Sequence, residues 1–250
     1  MQPENISVIV TSHNEARNIA RCLESVRGFG ETVLVDSFST DETLEIARRF
    51  PANIYQRPYR SAAAQKNWAL GVVQNQWVLI LDADETVSGE LRAEIEALSQ
   101  TADGYWIRRS SEYLGRSIRG CGWQRDKVLR LFDRTRGRYP LVEVHEEVEL
   151  EGKAEMLEGR LIHHPYADIH QHLRKINEYT SRGARECLDH GEKFALAKMF
   201  LHPPFRFLRM YLLQRGFLDG GAGLTLCLLS SYSVLLKYAK AWESRRKRHQ

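Results

Sequence analysis

The chain has 250 residues, of which 43% are hydrophobic and 27% charged, so it can bury a complete core and is not a disordered protein. Its four cysteines show no CxxC spacing, which excludes a zinc ribbon and indicates a reducing compartment. The net charge of +4 is uneven, because residues 201–250 carry nine Lys/Arg against two Asp/Glu. This basic excess indicates an anionic surface as a partner of the C-terminal fifth.

The first hundred residues alternate between strand and helix patterns. Short apolar runs predict strands at residues 6–10, 32–35, 53–56 and 77–81. Helical spacing and N-cap residues predict helices at 16–26, about 41–50 and 61–73. Strict alternation predicts a parallel sheet covered by helices, and such sheets bind ligands beyond the carboxyl ends of their strands. We therefore expect residues 11–15, Asp36 and residues 82–85 to meet in one crevice.

The alternation weakens after residue 98. Further strands are predicted at 104–108, 128–132 and 142–150, and a long helical stretch begins at residue 170, interrupted by Pro203 and Pro204. We therefore expect a catalytic domain at 1–168, with a nucleotide-binding half at 1–98 and an acceptor half at 99–168. A helical region follows at 169–250. The polar start of the chain predicts no signal peptide and a cytoplasmic protein.

The segment VLILDADE, residues 78–85, places three carboxylates directly after a buried strand. Asp82 and Asp84 form a DxD pair, and such a pair can hold Mg²⁺ or Mn²⁺, which prefer oxygen ligands and bridge to phosphate oxygens. The same residues fit the DxDxT pattern of haloacid-dehalogenase-type phosphatases, with Asp82 as the nucleophile. In that family the nucleophile usually follows the first strand, whereas Asp82 follows about three earlier strand–helix units. The family also needs a later GDxxxD-like acidic pair, and none occurs downstream of residue 87. The metal interpretation is therefore favoured.

Several segments together resemble family 2 glycosyltransferases with the GT-A fold. The opening half is carried by ISVIVTSHNEARNIARCLESV, VLVDSFSTDET, AAAQKNWAL and LILDADE. GWQRDKVLRLFDR, VHEEV and GFLDGGAG are similar to later motifs of the bacterial lipopolysaccharide or lipooligosaccharide core β-1,4-glucosyltransferase group. The resemblance implies a GT-A-like α/β fold with a mostly parallel sheet and a C-terminal helical region. It also implies a metal-dependent, inverting transfer from a UDP-sugar, glucose being favoured, to a lipopolysaccharide core or related lipid-linked glycan.

The resemblance also implies roles for individual residues. Those that would hold the donor nucleotide and its sugar are Thr11, Asn14, Glu15, Asp36, Lys66, Asn67 and Asp82. The first four would hold the base and ribose, and Asp84 would hold the metal. Many family members carry Asp-Asp where this chain has Asp36-Ser37, so the base contact at the second position stays open. A helix-capping loop is the alternative for Asn14 and Glu15, and a solvated helix lysine for Lys66.

Direct displacement at a sugar carbon needs one carboxylate to accept the proton of the acceptor hydroxyl. In LVEVHEEVEL, strand alternation places Glu146 in an otherwise apolar row, so Glu146 is favoured as the base and Asp126 is the alternative. His145 is a candidate metal or diphosphate ligand, or else a structural histidine. Trp123 and Arg130 are candidates for acceptor binding, with structural roles as the alternative.

The C-terminal region mixes apolar, aromatic and basic residues. Its uncharged run at residues 221–236 has 16 residues, fewer than the ~20 that span a bilayer. We therefore expect helices in the membrane interface, with residues 245–248 on anionic headgroups, as in a peripheral protein on the inner face of the cytoplasmic membrane. The uncharged run disfavours a nucleic-acid partner. The alternatives for this region are a buried helical hairpin or a dimer contact. For the whole chain, the alternative to an enzyme is a non-catalytic nucleotide- or membrane-binding protein.

Overall fold

The computed structural model describes residues 1–140, 147–189 and 195–248. It divides into two compact units, the first formed by Met1–Ser110 and Asp126–His164 and the second by Ser111–Arg125 and Pro165–Gln250. The predicted catalytic domain was 1–168, and this division differs from it in the segment Ser111–Arg125 and in residues 165–168. The segment groups with the C-terminal helices because the Asp219 carboxylate accepts hydrogen bonds from the Arg119 and Gly120 amides, at 2.9 and 2.8 Å.

The first unit is built on a mixed sheet with the strand order β3-β2-β1-β4-β8-β6-β11-β5. The strands are β1 (Ile6–Ser12), β2 (Glu31–Asp36), β3 (Asn53–Gln56), β4 (Trp77–Asp82), β5 (Glu85–Val87), β6 (Gly104–Tyr113), β8 (Lys127–Asp133) and β11 (Ala154–His163). β1 to β4 pair in parallel, whereas β8 is antiparallel to both β4 and β6. The predicted α/β fold is therefore confirmed. A small second sheet pairs β9 (Gly137–Arg138) with β10 (Glu149–Leu150).

Four helices cover the sheet of the first unit: α1 (Ile19–Ser25), α2 (Thr43–Ala47), α3 (Ala62–Leu70) and α4 (Gly89–Ala97). Ser61 and Ser88 cap α3 and α4, each accepting an amide hydrogen bond at 3.1 Å. The uninterrupted apolar sequence of β1 is explained by two cores, since Val8 and Val10 face one cluster and Ile9 faces the other.

The order of the sheet reverses beside β1. The chain passes from β1 to β2 and β3 on one side and then returns to β4 on the other. Ligands bind at such a reversal, in the crevice beyond the carboxyl ends of the two flanking strands. Here Thr11 of β1 lies opposite Asp82 of β4, and Ser12 lies opposite Asp36 of β2. The polar residues that end these strands are therefore neighbours.

The second unit contains the short strand β7 (Arg116–Ser117) and the helices α5 (Ile169–Asp189), α6 (Ala195–Leu208) and α7 (Gly220–Arg248). The predicted interruption at Pro203 and Pro204 is wrong, because both lie inside α6. Proline removes a helical N–H but its fixed φ suits a helix, and here the Pro203 carbonyl accepts the Ser231 hydroxyl at 2.8 Å. α6 continues into a π-helical turn, Arg209–Leu213.

One helix in the described part of the chain is long and apolar enough to cross a membrane, within Gly216–Arg246. The uncharged run alone is too short, and the helix reaches this length by extending beyond it at both ends. Only 28% of its most apolar window is buried. Length and composition by themselves also fit core helices of soluble proteins, so this feature is weak support for a membrane span.

Candidate functional site

Asp82 ends β4 at the sheet reversal and lies between two buried cations. Lys66 Nζ, on α3, is 3.1 Å from Asp82 Oδ1, and Arg130 Nη2, on β8, pairs with Asp82 Oδ2. Thr11 Oγ1 donates a hydrogen bond to Asp82 Oδ1 at 3.0 Å. Burial raises the pKa of Asp82, but Arg130 and then Lys66 outweigh it and hold this pKa well below its usual range. Lys66 is only 2% exposed, so it is not a solvated lysine.

Glu85 links a second arginine to the same cluster. Its side chain has no exposed surface, and its carboxylate lies 3.1 Å from Arg109 Nη1 and 3.2 Å from Arg130 Nη2. It also accepts the Asp82 backbone amide at 3.0 Å, which closes the turn between the two carboxylates. Burial lowers the pKa of Arg130, but Asp82 and Glu85 outweigh it and raise this pKa well above its ordinary value. The sequence assigned Glu85 no role.

Asp84 has a different partner, a histidine that the sequence did not identify. The antiparallel pairing of β5 with β11 sets His163 opposite Glu85, and Asp84 Oδ2 then lies 3.6 Å from His163 Nε2. Within the described ranges no lysine or arginine pairs with Asp84, and no group of three or more His, Cys, Asp or Glu side chains has metal-ligand spacing. The Asp84 carboxylate is a ligand type that suits Mg²⁺ or Mn²⁺ and the His163 imidazole one that suits transition metals, so this pair provides two ligand types of a metal site.

A cavity of about 300 Å³ opens beside Asp82. The ring of Tyr139 lines it together with charged residues of both signs, the cations Lys66, Arg109, Lys127 and Arg130 and the carboxylates Asp82, Asp126 and Glu147. Arg130 Nε and Tyr139 Oη are buried and have no hydrogen-bond partner among the residues described. Buried donors without partners are rare in folded proteins, so this pair of groups indicates a place for an anionic ligand.

Asn67 fixes Tyr139 at the edge of this cavity. Its amide nitrogen donates to the Tyr139 carbonyl at 2.7 Å, and its amide oxygen accepts the Tyr139 N–H at 2.9 Å. The ring of Tyr139 then lies beside Lys66, whose Nζ is 5.4 Å from the ring centroid. Asn67 was predicted to approach the nucleotide sugar. In the structure its side chain hydrogen-bonds to the backbone of Tyr139.

Asn14 and Asp36, two of the predicted nucleotide contacts, bind neighbouring loop residues. Asp36 is fully buried, and its oxygens accept Ser12 Oγ at 2.9 Å and the Ser39 amide at 2.8 Å. Asn14 has a left-handed backbone, with φ of 56°, and its side-chain oxygen accepts the Thr40 amide at 2.8 Å. These bonds join the loops that follow β1 and β2.

Glu15 is tied into the loop after β1 by local hydrogen bonds, and its nucleotide contact stays a prediction. Its amide donates to Thr43 Oγ1 at 2.8 Å, and its carboxylate accepts the Asn18 side-chain amide at 2.5 Å. Asn18 is the N-cap of α1, so these bonds connect the loop after β1 to the starts of α1 and α2.

Asp126, the alternative base, is held by an arginine. Arg109 Nε and Nη2 lie 2.8 and 2.7 Å from the same oxygen, Asp126 Oδ2. Arg109 therefore occupies Asp126 Oδ2 with two charged hydrogen bonds before any acceptor hydroxyl arrives. Glu146, the favoured base, and His145 lie at positions 141–146, outside the described residues.

Trp123 lies in the second unit, in the 3₁₀ turn Trp123–Arg125. Its ring packs edge-on against Tyr113, with the centroids 6.3 Å apart, at the margin of the core of that unit. This packing fits the structural role that the sequence left as an alternative, and acceptor binding by Trp123 stays a prediction. Arg130, the other predicted acceptor contact, lies instead in the ion-pair cluster of Asp82.

The first unit thus brings together a fixed anion, three arginine and lysine side chains, and a carboxylate–imidazole pair at the sheet reversal. Cations held by fixed ion pairs stabilise negative charge without having to reorganise. The chemistry that this arrangement supports best is the departure of a phosphate or diphosphate group.

Residues 7–143 match the profile of glycosyl transferase family 2. An uncharacterised glycosyltransferase of Rickettsia typhi is 29% identical and aligns over 96% of this chain and 87% of its own length. The lipopolysaccharide core biosynthesis glycosyltransferase LpsC of Rhizobium meliloti is 28% identical over 94% of this chain and 93% of its own. A solved mannosyltransferase of Pyrobaculum calidifontis shares the fold, with a TM-score of 0.53, 16% identity and coverage of 95% of this chain and 87% of its own. These findings exclude the phosphatase interpretation: the chain belongs to glycosyl transferase family 2.

Proposed function

We propose that this glycosyltransferase moves a hexose, with glucose as the first candidate, from a UDP-sugar to a lipopolysaccharide core or related lipid-linked glycan. The observation that carries the proposal is the cluster of Lys66, Arg109 and Arg130 beside Asp84 and His163 at the sheet reversal. The acceptor class is supported by LpsC, which is named for lipopolysaccharide core biosynthesis.

In this proposal the diphosphate of the donor occupies the cavity beside Asp82 and contacts its lysine and arginine side chains. Arg130 Nε and Tyr139 Oη, which lack partners within the described ranges, would donate to its oxygens. Lys66 would donate to the diphosphate while it keeps its ion pair with Asp82, since a lysine ammonium has three donors. This assignment moves Arg130 from the acceptor, where the sequence placed it, to the leaving group.

Asp84 and His163 are the residues that would hold Mg²⁺ or Mn²⁺. The mannosyltransferase structure is titled as a complex with GDP-Man and Mn²⁺, which supports metal use in this fold. When bound, the ion would neutralise charge on the leaving diphosphate. Asp82 already accepts from Lys66, Thr11 and Arg130, so the proposal leaves the metal to Asp84. Asp82 would instead fix the two cations and face the ribose and sugar.

Glu146 remains the proposed base for the acceptor hydroxyl, and the Arg109 ion pair of Asp126 supports this choice over the alternative.

In this proposal the enzyme binds its acceptor at the inner face of the cytoplasmic membrane. The second unit exposes large apolar side chains, namely Phe200, Leu201, Phe205, Leu208, Leu212, Leu213, Phe217 and Leu218. Arg206, Arg209 and Arg215 lie among them in sequence, which suits an interface with anionic lipids.

The donor proposal is tested by calorimetric titration of UDP and of GDP, each with Mn²⁺ and with a chelator. We expect metal-dependent binding of UDP, and loss of that dependence in His163→Ala. The matched control is His170→Ala, which removes an exposed histidine of α5 and should bind as wild type does. Equal UDP affinity with Mn²⁺ and with chelator would overturn the metal assignment.

The membrane proposal is tested by flotation with vesicles that contain anionic lipid. Replacing Phe200, Leu201 and Phe205 with serine should leave the protein in the dense fraction, because these exposed side chains would supply apolar contact. The control is Tyr59→Ser, which removes an exposed ring of the first unit. If the triple variant floats as the wild type does, these residues do not bind membrane.

A further inference from the structure

Phe38 combines a left-handed backbone conformation with an exposed aromatic ring. It follows β2 by two residues, its φ is +55°, and its ring is 52% exposed. Glycine adopts this left-handed conformation freely, whereas a residue with a bulky side chain rarely does. A buried ring could compensate by packing, but the Phe38 ring is largely in water. Such outliers are concentrated at ligand sites, where the surrounding structure holds them in place.

The loop that carries Phe38 is held on both sides. Behind Phe38, Asp36 accepts the Ser39 amide at 2.8 Å. Ahead of it, the Asn14 side chain accepts the Thr40 amide at 2.8 Å, and the Asn14 amide donates to Ser39 Oγ at 2.8 Å. Asp36 and Asn14 therefore use their hydrogen-bonding groups to fix this loop. The ring of Phe38 is presented in one place before any ligand arrives.

The position of this loop matches one end of the proposed donor. β2 is the neighbour of β1, and β1 is the neighbour of β4, which ends at Asp82. Adjacent strands are 4.7–4.9 Å apart, so the ends of β2 and β4 are separated by roughly 10 Å along the edge of the sheet. A nucleotide whose phosphates lie at the cations of Asp82 can extend its base across that distance toward Phe38.

We infer that Phe38 stacks on the nucleobase of the donor and positions it, an inference that rests on the proposed function. Stacking on an aromatic ring is worth about 1–3 kcal/mol per base, which is roughly 5- to 150-fold in Kd. It is also tolerant of base identity, because every base has a π-face. Phe38 therefore supplies affinity for the nucleoside, and choice between bases is left to other groups.

The test compares UDP binding by the wild type, Phe38→Gly, Phe38→Tyr and Phe38→Trp. Phe38→Gly removes the ring and suits the left-handed backbone, so it should stay folded and bind UDP at least 5-fold more weakly. The Tyr and Trp variants keep an aromatic face and should remain within about 3-fold of wild type. Tyr59→Gly removes an equally exposed ring, at 55%, and should leave the Kd unchanged.

Two further measurements separate stacking from a structural role. Saturation-transfer NMR should show close contact of the uracil H5 and H6 protons with the wild type and weaker contact with Phe38→Gly. In transfer assays Phe38→Gly should raise the donor KM and leave kcat nearly unchanged, since stacking binds the ground state and the transition state alike.

Each outcome bears on a defined claim. If the wild type binds UDP and Phe38→Gly binds it within 2-fold, stacking is refuted and the donor proposal stands. If Phe38→Trp and Phe38→Tyr lose binding as fully as Phe38→Gly, an aromatic face is not what Phe38 supplies, and the inference falls. If the folded wild type binds neither UDP nor GDP, with or without Mn²⁺, the donor proposal and the inference fall together.

Discussion

Replacing Glu85 with glutamine should destabilise the first unit although the shape of the side chain is preserved. Glu85 has no exposed surface and faces Arg109 and Arg130 at 3.1 and 3.2 Å. Removing one partner of a buried ion pair costs about 3–5 kcal/mol, because the remaining charge is buried without compensation. Here Arg130 keeps Asp82 and Arg109 keeps Asp126. We therefore expect the lower end of this range, about 3 kcal/mol.

Urea unfolding followed by circular dichroism measures this change, and hydrogen exchange of the β4 and β8 amides assigns it to the first unit. With an m-value of about 1–3 kcal/mol per molar urea, the midpoint should fall by roughly 1–3 M. The matched control is Glu158→Gln, whose side chain is 85% exposed and 3.3 Å from Arg108, and it should cost less than about 1 kcal/mol. Equal effects of the two substitutions would refute the argument from burial.

Two other substitutions test packing and burial. Gly159→Ala would set a Cβ 2.4 Å from Leu91 Cα, so unfolding should show a loss of about 1–3 kcal/mol. Gly89→Ala, with nothing within 4 Å, should be neutral or stabilising, and equal losses would contradict the clash. Burial lowers the pKa of His172 to about 4, so the unfolded chain binds the additional proton between about pH 4 and 6.5. Wild-type stability should therefore fall, by at most about 3 kcal/mol, as pH decreases through this window. His172→Asn should flatten that dependence in urea titrations, and identical slopes would contradict it.

The parallel half of the fold was predictable because its signals are local. The strand β3 was predicted at the residues where it occurs, and β1, β2 and β4 differ only at their ends. Each apolar run is short and continuous because its residues face two cores. Alternation places the ends of these strands at one edge of the sheet, so the meeting of residues 11–15, Asp36 and residues 82–85 could also be expected, whereas the order of the strands could not.

The antiparallel half depends on pairing between distant segments, which no local pattern specifies. In β11, Leu157, Gly159 and Leu161 alternate with exposed Glu158 and Arg160, so a strand signal was present in the sequence. That signal does not say which strand β11 pairs with. His163 reaches Asp84 only because β11 pairs with β5 in one register, and a shift of one residue would turn it to the other face.

The buried partners of charged residues could not be predicted from the sequence either. The DADE segment indicated a metal or a nucleophile, because three adjacent carboxylates repel one another unless something neutralises them. The neutralising arginines come from β6 and β8, more than 20 residues later in the chain. Asp126 and Asn67 looked like ligand contacts, but their partners Arg109 and Tyr139 are known only from the folded arrangement.

The charge balance of the cluster gives a reason for the proposed metal. Asp82, Glu85 and Asp126 pair with Lys66, Arg109 and Arg130, and Asp84, which pairs with none of these cations, adds one negative charge to the cluster. A donor diphosphate brings further negative charge into this partly buried place, which is unfavourable in a low dielectric. A divalent ion at Asp84 reverses the sign of the cluster, so the metal and the donor should bind together. Each should then tighten the other by the same factor, because coupling between two binding sites is reciprocal.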